Sequence, residues 1–156
     1  MQRTQNRSDV FFAPPAFLAP LRETSAFVDT PMTENEIATI IVDAAYTIHK
    51  RLGPGLLESV YETTLAYELA KRGSEVRKQQ AMPVIYEAVR MDIGFRADSV
   101  IEGKVIVEIK SIEAIAPVHR KQLLTYLRLT DKRLGLLINF NVELSKDGTT
   151  RVVNNL

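Results

Sequence analysis

Met91-Asp-Ile-Gly-Phe-Arg-Ala-Asp98-Ser-Val-Ile101, then Glu102-Gly-Lys104, then Val105-Ile-Val-Glu108-Ile-Lys110: this stretch decides the fold. Its last six residues form an apolar run interrupted by two opposite charges. In a strand, residues two apart share a face, so Glu108 and Lys110 project together, away from Val105, Val107 and Ile109. Charges on a largely buried strand cost free energy unless they are paired or bind a metal. The run therefore marks a candidate site as well as a strand.

The two segments predict a hairpin, and its register follows from side-chain segregation. A two-residue turn at Glu102-Gly103 places Ala97 opposite Glu108 and mixes apolar with charged residues. A three-residue turn, Glu102-Gly103-Lys104, pairs Ile101 with Val105, Ser99 with Val107 and Asp98 with Glu108. Phe95, Ala97, Ser99, Ile101, Val105, Val107 and Ile109 then share one face. Arg96, Asp98, Val100, Ile106, Glu108 and Lys110 share the other. Because a one-residue slip exchanges the faces, the segregated register is expected. It sets two carboxylates about 5 Å apart at Cβ. Such like charges repel unless a cation lies between them or one is protonated. Asp98 and Glu108 are thus a reasonable seat for Mg²⁺ or Mn²⁺, with Lys110, one pleat further on, able to orient a water or to stabilise charge developing on a phosphoryl group.

Outward from this pair, the period changes. Thr33-Glu-Asn-Glu36 reads as a capping box, and Ile37, Ile40, Ile41, Ala44, Ala45 and Ile48 follow at helical spacing. Gly53-Pro54-Gly55 stops that helix. A second helix is expected over about 56–72, with Leu57, Val60, Tyr61, Leu65 and Leu69 inward. Strands are expected over 75–80, 82–88, 91–101 and 104–110, then a helix over 118–130 and a buried strand over 135–140. Lys146-Asp147-Gly148 reads as a turn, with an edge strand over 151–154 as an addition. The order α-α-β-β-β-β-α-β predicts an α/β domain, a mixed β-sheet flanked by α-helices, spanning 32–156. Residues 1–31, with Pro14, Pro15, Pro20 and Pro31 and no period, read as a disordered or mis-annotated N-terminal extension. They resemble a targeting peptide only faintly.

Bulk properties narrow the chemistry. The 156 residues carry a net charge of +1, so a polyanionic partner must meet a local basic patch. There is no cysteine, which excludes disulfides and thiolate-ligated metals. With two histidines, His49 and His119, any hard cation must be held by carboxylates. No apolar stretch is long enough to cross a bilayer, and a cytoplasmic location is expected.

An Asp on one strand followed by Glu-x-Lys on the next resembles the PD-(D/E)XK nuclease superfamily. Gln122-Leu-Leu-Thr-Tyr126 is similar to the Gln-xxx-Tyr motif of its exonuclease-like branch. Gly55-Leu-Leu-Glu58-Ser-Val-Tyr61 resembles the signature of the GxxExxY family placed in that superfamily. The resemblance runs from about Met32 to the C-terminus, although Ala97 stands where the superfamily's name has proline. It implies a restriction-endonuclease-like core and a metal-dependent nuclease acting on nucleic acid, with DNA the expected substrate. Asp98, Glu108 and the Ile109 carbonyl would hold Mg²⁺ or Mn²⁺, with Glu58 a further carboxylate. Lys110 would be the catalytic lysine, and Gln122 and Tyr126 would line the cleft. His119, Arg120, Lys121 and Tyr61 are candidate substrate contacts, and a homodimer suits the fold.

Each residue also has a plainer role. Glu58 in a first helical turn is favoured by the helix dipole. Tyr61 and Tyr126 fit core aromatics, and Gln122 an ordinary surface residue. His49 suits a helix C-terminus. His119 either contacts a phosphate or caps the third helix. The basic residues Arg120, Lys121, Arg128, Lys132 and Arg133 fit a solvated face as well as a phosphate-binding one. A nucleic-acid- or protein-binding module with little turnover is the competing function, and hydrolysis of a small phosphorylated substrate is a third.

Overall fold

In a computed structural model, which describes residues 30–143 and 147–156, helix α1 (Glu34–Leu52) begins at the capping box. The Thr33 hydroxyl accepts from the Glu36 amide at 3.3 Å, and the Glu36 carboxylate accepts from the Thr33 amide at 2.8 Å. Gly53, at φ 69°, ends the helix in a backbone region that favours glycine. Helix α2 (Glu58–Lys71) follows. Strands β1 (Val76–Tyr86), β2 (Val89–Ile101) and β3 (Val105–Lys110) come next, then helix α3 (Pro117–Leu129), β4 (Leu134–Asn139) and β5 (Thr149–Val153). Expectations about residues 1–29, and about Lys146, concern residues outside those described. No helix among the described residues is long and apolar enough to cross a membrane.

The sheet order is β1-β2-β3-β4-β5. β3 and β4 are parallel and every other pair is antiparallel. Helix α3 makes the crossover that a parallel pair requires. The two parallel strands are covered on both faces. On one face Val105, Val107, Ile109, Leu134, Leu136 and Ile138 pack with α1 and α2. On the other, Val100, Ile106 and Leu137 pack with Leu123 and Leu127 of α3. The mixed five-stranded sheet with helices on both faces is the expected α/β, restriction-endonuclease-like architecture.

Four details differ from the sequence reading. First, 75–80 and 82–88 form one strand, giving the order α-α-β-β-β-α-β-β. The interruption is a register shift between Met82 and Val84, at Pro83. Proline has no N–H for the ladder, so it bends the pairing without ending the strand. Second, the added edge strand is present as β5, paired with β4, but begins two residues earlier, at Thr149. Third, Leu57 and Val60 are exposed and Glu68 is buried in their stead. Leu57 is the N-cap, ahead of the helix, and the buried stripe is Tyr61, Leu65, Glu68 and Leu69. Glu68 is tolerated because Arg51, Lys71 and Arg72 surround it at 3.7–4.0 Å.

The fourth difference concerns Phe95 and Ala97, which pack on the α3 face with Val100 rather than opposite it. Alternation breaks at Asp98, beside Gln79 at φ 48°: the β1–β2 register is kept, Lys78 with Ser99 and Gln80 with Ala97, but Gln79 and Asp98 between them do not pair. Outward of this point Ala97 and Phe95 take the face that Val100 takes inward of it. Beyond Ser99, β2 pairs with β1 alone, so the two strands run on as a ribbon to the Glu87-Ala88 turn. Its outer part exposes Ile85, Tyr86, Val89, Met91 and Ile93.

Candidate active site

The β2–β3 turn has the three-residue form. Ile101 pairs with Val105, Val100 with Ile106 and Ser99 with Val107. Lys104 N–H donates to the Ile101 carbonyl at 2.9 Å, and both Glu102 and Gly103 have positive φ. The ladder stops at Ser99. The next link is made by a side chain: the Asp98 carboxylate accepts from the Ile109 amide at 2.9 Å. The strands part at the position where the two acids lie closest in register.

Glu108 is buried, and its Oε1 has no hydrogen-bond partner. Burial first, and the negative charge of Asp98 second, push its pKa up to about 8. The Lys110 ammonium acts in the opposite direction. Lys110 itself is half-buried at the end of β3. Asp98 and Glu108 are thus brought together, with Lys110 beside them.

Glu58 is not brought into that pair as a third acid. Its carboxylate accepts from the Ser111 amide at 3.1 Å, at the first residue after Lys110. Among the described residues no group of three or more histidine, aspartate or glutamate side chains gathers in a metal-binding cluster. Helix α2 starts at Glu58, so its side chain reaches the adjoining loop. The Ser111 hydroxyl donates to the Leu56 carbonyl at 2.6 Å, which ties the same two segments together.

Sequence reasoning missed Asn139. This buried residue ends β4 opposite Lys110. Its side-chain oxygen accepts from the amides of Ile112 at 3.1 Å and Asn141 at 3.2 Å, and its side-chain nitrogen donates to the Ile112 carbonyl at 2.8 Å. The available signal was an amide closing an otherwise apolar strand, where burial demands partners.

Helix α3 supplies the opposite wall. Tyr126 stacks on Phe95 with ring centroids 3.8 Å apart and receives a hydrogen bond from the Gln122 amide at 2.5 Å. Burial, then the charge of Glu108, raises the Tyr126 pKa, so the phenol stays neutral. His119 caps the helix, its Nδ1 accepting from the Ala116 amide at 3.1 Å. That bond puts the neutral ring's proton on Nε2. Arg120 and Lys121 are exposed on the first turns.

Two aromatic and histidine roles resolve structurally. Tyr61 is fully buried and stacked on Phe140 at 4.3 Å. Its hydroxyl donates to the Gly53 carbonyl at 2.6 Å and accepts from the Leu56 amide at 3.2 Å. It holds the loop before α2. His49 is buried with Nε2 at the Val142 carbonyl, so it joins α1 to the segment after β4 rather than capping its own helix.

The donor set fits a hard divalent cation. Two carboxylates meet, and one oxygen lies buried without a partner. Backbone carbonyl and water can complete the shell, since Mg²⁺ usually keeps several waters. A sequence model of the PD-(D/E)XK nuclease superfamily matches residues 35–152. The chain belongs to this superfamily. No curated protein matches it. The crystal structure of SSO0001 is similar at 21% identity with a TM-score of 0.46, over 79% of this chain and 60% of that one. This chain therefore spans less than two thirds of that structure's length. Within this PD-(D/E)XK domain, the acids and the lysine lie where β2 leaves β3, between the start of α2 and the face of α3 that carries Tyr126.

Proposed function

We propose that residues 32–156 form a metal-dependent nuclease of the GxxExxY branch that hydrolyses phosphodiester bonds of nucleic acid, with DNA as its polymer and the cytoplasm as its location. One observation carries the reading: the buried, partnerless oxygen of Glu108 beside a second carboxylate. Asp98, Glu108 and the Ile109 carbonyl would hold Mg²⁺ or Mn²⁺. The chemistry such a cation supplies when bound is acidification of a water and neutralisation of charge on phosphate oxygens. The chain's own residues do the rest. The Ile109 amide fixes the Asp98 carboxylate. Lys110 adds a positive charge at the end of β3, where a phosphoryl oxygen gains charge. The Gln122 amide orients the Tyr126 phenol at the edge of the cleft. His119 Nε2–H, Arg120 and Lys121 offer donors to the phosphate backbone, and a homodimer would present two such sites to two strands.

A second reading, a nucleic-acid-binding module with little turnover, is favoured by the diversion of Glu58 to Ser111, which leaves two acids rather than three. Calorimetric titration of Mg²⁺ and Mn²⁺ into the wild type and the Asp98→Ala/Glu108→Ala variant, with cleavage assays on mixed DNA and RNA, separates the two. Cation binding and cleavage that both vanish in the variant support the nuclease. Cation binding without cleavage of either polymer favours the module. Cleavage that survives the double substitution sinks the proposed site.

A further inference from the structure

The peptide groups immediately after Lys110 are held from two sides. Ser111 N–H donates to Glu58 on α2, and Ile112 N–H donates to Asn139 on β4. The second hold is double, because the Asn139 amide also donates back to the Ile112 carbonyl. The Lys110 carbonyl is engaged as well, accepting from the Phe140 amide at 2.9 Å. The segment is outside the sheet ladder, which ends at the pairing of Lys110 with Asn139. These side chains thus continue the strand's constraint for two residues past its end.

We propose that Glu58 and Asn139 are positioning residues: by fixing the Ser111 and Ile112 amides they set the direction in which Lys110 leaves β3. The inference rests on the nuclease reading for the role of Lys110, while the clamp itself does not. Its chemistry differs from that of a metal ligand in one testable respect. Glu58 acts here through one acceptor oxygen, so a neutral carboxamide can replace it. A ligand carboxylate acts through its charge as well, and a carboxamide is a poor substitute. The charge of Glu58 is dispensable and its oxygen is not.

The deciding comparison is Glu58→Ala against Glu58→Gln, with Asn139→Ala as a second route to the same amides. Glu58 is exposed, so neither of its variants threatens the fold. Three quantities are read: amide hydrogen exchange at Ser111 and Ile112, Mn²⁺ affinity by calorimetry, and kcat and KM for nicking of a supercoiled plasmid in Mn²⁺. We expect Glu58→Ala to speed Ser111 exchange about tenfold or more. It should lower kcat by tenfold to a hundredfold, the order a small misplacement of a catalytic group causes, with KM little changed. Glu58→Gln restores both and keeps the Mn²⁺ affinity of the wild type. Asn139→Ala speeds exchange at Ile112. The proposal is overturned if Glu58→Gln loses Mn²⁺ affinity as Glu58→Ala does, which makes Glu58 a ligand. It is equally overturned if exchange at Ser111 is the same in wild type and Glu58→Ala. A wild type that nicks no plasmid, with exchange behaving as expected, removes the nuclease reading and leaves the clamp standing.

Discussion

The Ile109 amide donates to the carboxylate of Asp98, at 2.9 Å, where a sheet ladder would offer it a backbone carbonyl. The acid is therefore part of the sheet's wiring and part of the candidate site at once. Asp98→Asn keeps an acceptor oxygen for Ile109 but removes the charge. We expect it to melt within a few degrees of wild type while cation affinity and cleavage fall by about a hundredfold or more, about 2.7 kcal/mol or more of lost charge stabilisation. Asp98→Ala should lose both function and stability, because the Ile109 amide is left unpaired. Thermal melts beside calorimetry on the two variants distinguish these effects.

Glu108 gives the metal-free protein a defined pH response. Its pKa is raised to about 8 from the usual 4.5, by burial and then by Asp98. Between those values the folded chain holds a proton that the unfolded chain has released. The stabilisation is complete below 4.5 and is lost as pH rises to about 8. Glu108→Gln should flatten that slope in chelator-treated samples followed by urea unfolding. Protons compete with cations for the same oxygen, so Mn²⁺ affinity should climb with pH over the same window. A pH-independent affinity would contradict a role for Glu108 as ligand.

Tyr61→Phe isolates the hydroxyl. The ring keeps its stack on Phe140, but the Gly53 carbonyl and Leu56 amide lose their partner. We expect a loss of about 1–3 kcal/mol in denaturant unfolding, the cost of stranding buried polar groups. Mn²⁺ affinity should not change.

Gly135 lets α3 approach the sheet. A Cβ there would meet the Leu123 side chain at 2.8–2.9 Å. Leu123 is fully buried, so it cannot swing into solvent. Gly135→Ala should cost about 1–3 kcal/mol through overpacking, and Leu123→Ala about 2–5 kcal/mol through a cavity. The double variant should be less damaged than the sum, since the added methyl partly fills the space removed. Additive losses in urea unfolding would show that the two residues do not share this contact.

The hairpin register was legible because charge and apolarity segregate cleanly along Ile101, Val105 and Val107, and because only one turn length keeps them apart. The start of α1 was legible for a local reason: Thr33 and Glu36 satisfy each other within one turn. Glu58 was less so. Its helix and its carboxylate can be read from sequence, but its partner is 53 residues away, and no spacing rule relates the start of α2 to the end of β3. The true faces of Phe95 and Ala97 follow a break in alternation at Asp98, beside Gln79 of another strand, where no glycine advertises a positive φ. The role of Asn139 stayed hidden because its partners lie in an irregular loop, which has no period to read.

The β1–β2 ribbon beyond Ser99 touches β3 through no ladder pair, and its turn is two residues long. Its length is therefore a free parameter of the design. One residue inserted in each arm near Glu87-Ala88 moves the tip outward by about 3.4 Å and leaves the pairing of Ser99, Val100 and Ile101 as it was. Relatives can thus differ in reach without re-solving the geometry at Asp98, whereas a single unmatched insertion would turn the apolar side of the arm around.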